Sequence, residues 1–229
     1  MTLSIVMPVL NEAADIEAAL KALAPLRARG VEVIVADGGS KDGTADLARP
    51  LADQVLTAPR GRALQMNAGA AAAQGDVLLF LHADTRLPKG ADRLALDGLV
   101  RTGRIWGRFD VRIDGGGLFG MISFMMNGRS RLTGIATGDQ AMFLTRAAFE
   151  AAGGFPAIAL MEDVALSSRL KRLSRPLCLR ARVTTSPRRW RKHGVLRTVM
   201  LMWRLRLAYY CGADPAKLAR TYGYAPVQN

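Results

Sequence analysis

VLLFLHADTRLP, residues 77–88, is the stretch on which the reading of this chain turns. Five apolar residues, 77–81, run without interruption into His82 and Asp84, and Pro88 stops the chain from continuing. A run this short and this apolar fits a strand buried on both faces, as in a parallel sheet. Such a strand ends in an imidazole and a carboxylate for one of two reasons. Either Asp84 or Thr85 caps a helix starting near Lys89, or the carboxyl edge of a sheet holds a ligand or a metal there.

The segments upstream repeat the design. LSIVMPVLNE reads as a strand, Leu3–Val9, followed by Asn11 as cap of a helix with Ile16, Ala19, Leu20 and Leu23 at helical spacing and Gly30 beyond its end. VEVIVADGGSKDGT gives a second strand, 31–36, a Gly-rich turn and a helix from Thr44 to about Leu51. DQVLTAP is a third strand, and GRALQMNAGAAAAQG an Ala-rich helix closed at Gly75. Alternation at this spacing predicts βαβ units, right-handed crossovers and a mostly parallel Rossmann-like α/β sheet. Ligands on such sheets sit at the carboxyl ends of the strands. Asn11 and Glu12, Asp37, Arg60 and Arg62, then His82 and Asp84 follow four successive strands. One such residue is an ordinary cap or turn; four at the same edge point to a binding site.

Beyond residue 100 the pattern changes. RIWGRFDVRI fits a strand with one polar face. GGGLFGMISFMMNGRSRLTG, rich in Gly and Met, is either core or the lining of an acceptor groove. DQAMFLTR is another strand, AAFEAAGGF a short helix closed by Gly153 and Gly154, and MEDVALSSRLKRL an amphipathic helix with Glu162 and Asp163 in its first turn.

With 229 residues, half of them apolar, the chain suits one globular α/β domain or a domain with an appendage. It has no signal-peptide pattern and no apolar run of membrane-spanning length, so a cytoplasmic protein is expected, with the inner face of the membrane as a further location. Cys178 and Cys211 have no metal or redox spacing and read as reduced core thiols. The charge is uneven. Residues 164–213 hold thirteen Lys/Arg and no acid, while the rest of the chain balances nineteen of each sign. Such a block attracts phosphates on a nucleotide, a nucleic acid or an anionic membrane. No helix-turn-helix, zinc-finger spacing or aromatic RNA-binding strand supports nucleic acid, and no GxGxxG follows the first strand to support a dehydrogenase. From Val195 onward Leu196, Val199, Met200, Trp203 and Leu207 recur at helical spacing, with Arg197 and Arg204 on one face. That helix packs its stripe on the domain or lies in a membrane interface; the interrupting arginines favour packing.

SIVMPVLNE, VIVADGGSKDGT, GDVLLFLHADT, GDQAMFL and GGFPAIALMEDVALSSRL together resemble, in order, the GT-A glycosyltransferases of family 2, and TTSPRRWRKHGVLRT resembles a bacterial subgroup of its small members. The resemblance implies a GT-A catalytic domain over 1–185, with a nucleotide-binding half, 1–100, and an acceptor half, 101–185. Residues 186–229 form a basic helical extension packed on it. The implied activity is an inverting, metal-dependent transfer from a nucleotide sugar, UDP-linked, to an unknown acceptor hydroxyl. HAD stands where the family has DxD, so Asp84 becomes the ligand of Mn²⁺ or Mg²⁺, with His82 replacing the usual acid and His193 as a second ligand. Pro8, Val9, Leu10, Glu12, Asp37, Arg60, Arg62, Gln65, Asn67, His82, Ala83, Asp84 and Arg189 are the expected donor contacts. Asp37 suits the N3–H of uracil, and the arginines suit the diphosphate. Gly138, Asp139, Gln140 and Trp190 are expected at the acceptor, and Asp163, assisted by Glu162, is the implied base. The competing reading is a peripheral membrane or anion-binding module with a degenerate nucleotide site; no nucleic-acid partner is expected, and a homodimer stays open.

Overall fold

Both faces of the first strand are covered, which is why its sequence is apolar throughout. In β1 (Leu3–Val9), Ile5 and Met7 point into one helical layer and Val6 into the other, all fully buried. The structure is a computed structural model describing residues 1–224, with the side chains of Arg189 and His193 excepted. The chain continues through α1 (Ala13–Arg27), β2 (Glu32–Asp37), α2 (Thr44–Ala48), β3 (Gln54–Thr57), α3 (Arg62–Ala72) and β4 (Val77–Phe80). Strands β3, β2, β1 and β4 lie side by side and are all parallel, as the alternation predicts. On one face Ile16, Leu20 and Leu23 of α1 cover Ile5 and Met7; on the other Ala63, Met66 and Ala70 of α3 cover Val6, Ile34 and Leu78.

The second half makes the sheet mixed. After β5 (Thr85–Arg86), α4 (Ala91–Thr102), β6 (Trp106–Ile113) and α5 (Leu118–Thr133), a short 3₁₀ turn (Gly138–Gln140) leads into β7 (Phe143–Thr145). β7 is antiparallel to both β4 and β6, so it joins the parallel half to the rest. α6 (Arg146–Ala151) and α7 (Glu162–Leu173) follow, then β8 (Leu177–Thr185), parallel to β6 and antiparallel to β5. The full order is β3-β2-β1-β4-β7-β6-β8-β5.

Two local expectations change. Asp84 is not a helix cap: β5 intervenes, and α4 starts only after a left-handed Gly90. Nor does Asn11 cap α1. It sits at φ 54, a region Asn tolerates, and its side-chain oxygen accepts the Lys41 backbone N–H at 2.9 Å across the neighbouring turn.

The last described helices are α8 (Arg188–His193), α9 (Val195–Tyr210) and α10 (Pro215–Tyr222). Leu205, Leu218 and Ala219 pack on Ile135, Leu160, Met161 and Val164, with Leu201 and Ala208 alongside. The α9 stripe expected to pack does not: Leu196, Met200, Trp203 and Leu207 are exposed, and the opposite face carries the contact. Cys211 is likewise exposed rather than in the core, and both cysteines are free. Among the described residues no helix is long and apolar enough to cross a membrane.

Candidate active site

The carboxyl ends of β1 and β4 open into a cleft of about 620 Å³, within the range of small-ligand sites. β1 contributes Pro8, Val9 and Leu10, with Glu12 just beyond; β4 contributes His82, Ala83 and Asp84. Arg60, Arg62 and Gln65 enter at the head of α3, Gly138 and Asp139 from the 3₁₀ turn, and Glu162 and Asp163 from the head of α7. Arg188 and Trp190 of α8 stand at the other side, and Thr198, Met202 and Arg206 of α9 form a further wall.

Asp163 is fixed from two directions. Its Oδ2 accepts the Gly138 N–H and its Oδ1 the Val164 N–H, both at 2.7 Å, while the helix N-terminus favours its negative charge. Before it, Met161 adopts φ 71, a left-handed conformation costly for a non-Gly residue and frequent at functional sites. Glu162 is buried and meets Arg62 Nη1 at 3.4 Å. Burial pushes the Glu162 carboxyl up, Arg62 opposes this, and Asp163 adds to it. Burial works against the charge on Arg62 as well, but Glu162 and the Tyr224 ring beside it hold the guanidinium ionised.

A second group of acids faces the same space. The Asp84 carboxylate accepts the Thr85 hydroxyl at 3.3 Å. Its charge bears on Asp139, whose carboxyl is raised to about 6 by burial first and Asp84 second. Asp84 also raises Glu12, after burial and against the opposing pull of Arg188. His82 is driven down to about 3 by burial and by Arg62, so its imidazole is neutral. It packs against the 3₁₀ turn so tightly that a Cβ on Gly138 would collide with its Nε2. No group of three His, Cys, Asp or Glu able to hold a metal occurs among the described residues.

Three residues read as site residues are turned elsewhere. Asp37 is buried and accepts the Gly39 and Ser40 N–H groups at 3.1 and 3.0 Å and the Ser40 hydroxyl, which stabilises its own turn. Asn67 exchanges hydrogen bonds with the backbone of Phe155, at 2.8 and 3.0 Å, and so anchors α3 to that loop. Gln140 is fully buried and closes a capping box with Thr137. Gln65 lies beneath the cleft, where its amide donates to the carbonyls of Val9 and Ala36 and ties β1 to β2. Arg188 pairs with Glu12 at 3.2 Å and with Asp15, strapping the C-terminal segment to α1. The side chains of Arg189 and His193 lie outside the described residues.

Arg129 and Arg206 escaped the sequence reading. Arg129 Nε and Nη2 and Arg206 Nε are buried without a hydrogen-bond partner among the described residues. Burial, then the neighbouring Arg206, lower the Arg129 guanidinium to about 10, and Asp163 partly offsets this. The spacing Thr198, Met202, Arg206 marks a polar-edged face of α9, but only tertiary contacts say that this face looks into the cleft.

Comparison with known proteins agrees with this architecture. Residues 4–154 match the family described as Glycosyl transferase family 2. A segment of 51 residues is 51% identical to the succinoglycan biosynthesis protein ExoA of Rhizobium meliloti (strain 1021), covering 22% of this chain and 16% of that protein. Among solved structures, S. aureus TarS 1-349 in complex with UDP-GlcNAc superposes with a TM-score of 0.66 at 18% identity, over 81% of this chain and 58% of that one. The mannosyltransferase PcManGT from Pyrobaculum calidifontis, in complex with GDP-Man and Mn²⁺, gives 0.64 at 19% identity over 97% and 69%. Glucosyl-3-phosphoglycerate synthase from Mycobacterium tuberculosis, with Mn²⁺, UDP-Glc and phosphoglyceric acid, gives 0.57 at 23% over 80% and 70%. The fold is GT-A, and the chain belongs to glycosyl transferase family 2.

Proposed function

We propose that the chain is an inverting, metal-dependent glycosyltransferase that takes a sugar from a UDP-linked donor and passes it to an acceptor hydroxyl. The observation that carries this reading is the meeting in one cleft of Asp84 at a strand end and the backbone-fixed Asp163 at a helix start. UDP-GlcNAc, UDP-Glc and GDP-Man in the structural neighbours, two of them with Mn²⁺, support a nucleotide-sugar donor and a divalent ion. The residues fit Mn²⁺ or Mg²⁺: Asp84 offers hard carboxylate oxygens, and its charge presses on Glu12 and Asp139 in a way a cation relieves. Such ions keep waters and take phosphate oxygens, so one protein carboxylate suffices. When bound, the ion supplies Lewis-acid stabilisation of the departing diphosphate. His193 is the proposed second ligand.

In this reading Asp163 takes the proton of the acceptor hydroxyl as that oxygen bonds to the anomeric carbon. The bond from the anomeric carbon to the diphosphate oxygen breaks on the opposite face, so the configuration inverts. Arg62, held in place by Glu162, and Arg60 face the diphosphate with fixed positive charge. Pro8, Val9, Leu10 and Gln65 border the nucleoside, Asp139 faces the sugar, and Trp190 borders the acceptor. Asp37 Oδ1 accepts the Ser40 hydroxyl and keeps a lone pair for the N3–H of a uracil. Arg206, on the α9 wall of the cleft with Arg129 as its charged neighbour, suits an anionic group on the acceptor. A panel of UDP- and GDP-sugars, scored for nucleoside diphosphate release with Mn²⁺, Mg²⁺ or chelator, tests the reading. Release from a UDP-sugar that stops with chelator is expected; release from GDP-sugars alone, or release indifferent to chelator, overturns the donor or the metal assignment respectively.

A further inference from the structure

Among the described residues, the outer face of α9 has no partner. Leu196, Met200, Trp203, Leu207 and Tyr210 recur every three or four residues, and each is 55–78% exposed. A second stripe runs along α5, where Leu118, Met121, Met125 and Leu132, with Phe124 beside them, are 44–90% exposed. The two helices approach each other near both ends. Arg191, just ahead of α9, reaches Gly115, just ahead of α5, and near the far ends Arg129 lies within the electrostatic reach of Arg206 and Tyr210. Single exposed apolar residues are ordinary, but ten large ones on two neighbouring helices mark an interaction surface.

Charge decides what covers it. Neither helix contains an Asp or Glu, whereas Arg191 and Lys192 of α8 and Arg197 and Arg204 of α9 are exposed; Arg131 of α5 is paired with Asp110. A second copy of the chain would set like charge against like charge with no acid in either helix to pair. An anionic lipid surface supplies the opposite charge along with apolar depth, and Trp203 and Tyr210 suit the headgroup level. We infer that the outer faces of α5 and α9 form a docking face for the interface of an anionic lipid bilayer. The opposite face of α9, with Thr198, Met202 and Arg206, is a wall of the cleft. Docking therefore brings the cleft within about one helix diameter, 10–12 Å, of the lipid, where a lipid-borne acceptor is in reach. The inference does not depend on which donor the cleft takes.

Vesicle sedimentation of the full chain at physiological salt tests it, with phosphatidylcholine alone and with phosphatidylcholine rich in phosphatidylglycerol. The chain is expected to sediment with the acidic vesicles and to stay largely in the supernatant with the neutral ones. Arg197→Ala and Arg204→Ala should each weaken partitioning about fivefold. Trp203→Glu and Leu207→Glu, which change exposed residues and keep the fold by circular dichroism, should each weaken it roughly tenfold. Brominated lipid should quench part of the native fluorescence, and Trp203→Phe should remove that part. Donor hydrolysis in solution should be unchanged in all these variants, so a failed donor assignment leaves the sedimentation result standing. A chain that ignores both vesicle types, or sediments equally with both, overturns the inference. A vesicle-free dimer dissolved by Trp203→Glu overturns it in favour of a second copy.

Discussion

At the scale of single residues, the cleft separates acids with different tasks by what holds them. Asp163 is tied by two backbone N–H groups and keeps lone pairs for an incoming proton. Asp163→Asn preserves the shape and removes the basicity, so turnover should fall by about 10²- to 10⁴-fold with UDP affinity nearly unchanged; single-turnover kinetics beside calorimetry separate the two. Near-normal turnover would return Asp163 to a merely structural part in fixing the Gly138 turn. Asp84 carries the complementary expectation. In Asp84→Ala the enhancement of UDP affinity by Mn²⁺ should vanish while metal-free affinity persists, as read by calorimetry with and without the ion. Asp84 stands out in the sequence by the apolar strand before it, whereas the part given to Asp163 comes from the family resemblance, because two acids at a helix start are ordinary by themselves. Asp37, Asn67 and Gln140 carry equally polar side chains, yet they satisfy the backbone of Gly39 and Ser40, Phe155 and Thr137. Whether a polar side chain at a strand end or helix start serves the chain or the cleft depends on its partners in space, such as Phe155, 88 residues away from Asn67.

Among elements, the legible part is the run β1 to β4, where each strand is a short apolar block and the alternation with helices implies parallel pairing. The mixed half was not legible, because nothing in the sequence of β4 or β7 sets an antiparallel register. Helix α9 was misread for a related reason: periodicity finds an apolar stripe but does not say whether the stripe or its opposite packs. The 3₁₀ turn offers a sharp test of element packing. Gly138 touches His82 and also donates to Asp163, so it sets the distance between the ends of β4 and α7. Gly138→Ala should destabilise the protein by about 1–3 kcal/mol, the cost of overpacking. His82→Ala should restore most of that loss in the double variant, a positive coupling in denaturant midpoints. Additive losses would mean that the turn and the β4 end do not share that contact.

For the whole molecule, the basic C-terminal segment brings Arg188, Lys192 and Arg206 to the cleft, yet folding still bears the cost of burying Asp139 near Asp84. Asp139 shows the sign. Its carboxyl is raised to about 6 from an ordinary 3.8, by burial and then by Asp84. Between these values the native protein holds a proton that the unfolded chain has lost, so stability falls as pH rises through that window and stays lower above it. Glu162, raised by burial, acts with the same sign. Asp139→Asn abolishes its part of this dependence. At pH 7 it should gain up to about 3 kcal/mol, read as a rise in Tm of about 5 °C or more, and the gain should disappear near pH 4. The same variant should lose donor turnover, since a site built of mutually repelling acids trades stability for function. Saturating Mn²⁺ with UDP should raise the Tm of the parent more than that of the variant, because the ligand relieves a repulsion that only the parent has. Thermal scans of both proteins from pH 4 to 7, with and without Mn²⁺ and UDP, decide the matter. An Asp139→Asn protein less stable than the parent at pH 7 would show that this carboxylate is a stabilising partner and that the acids of the cleft are not under strain.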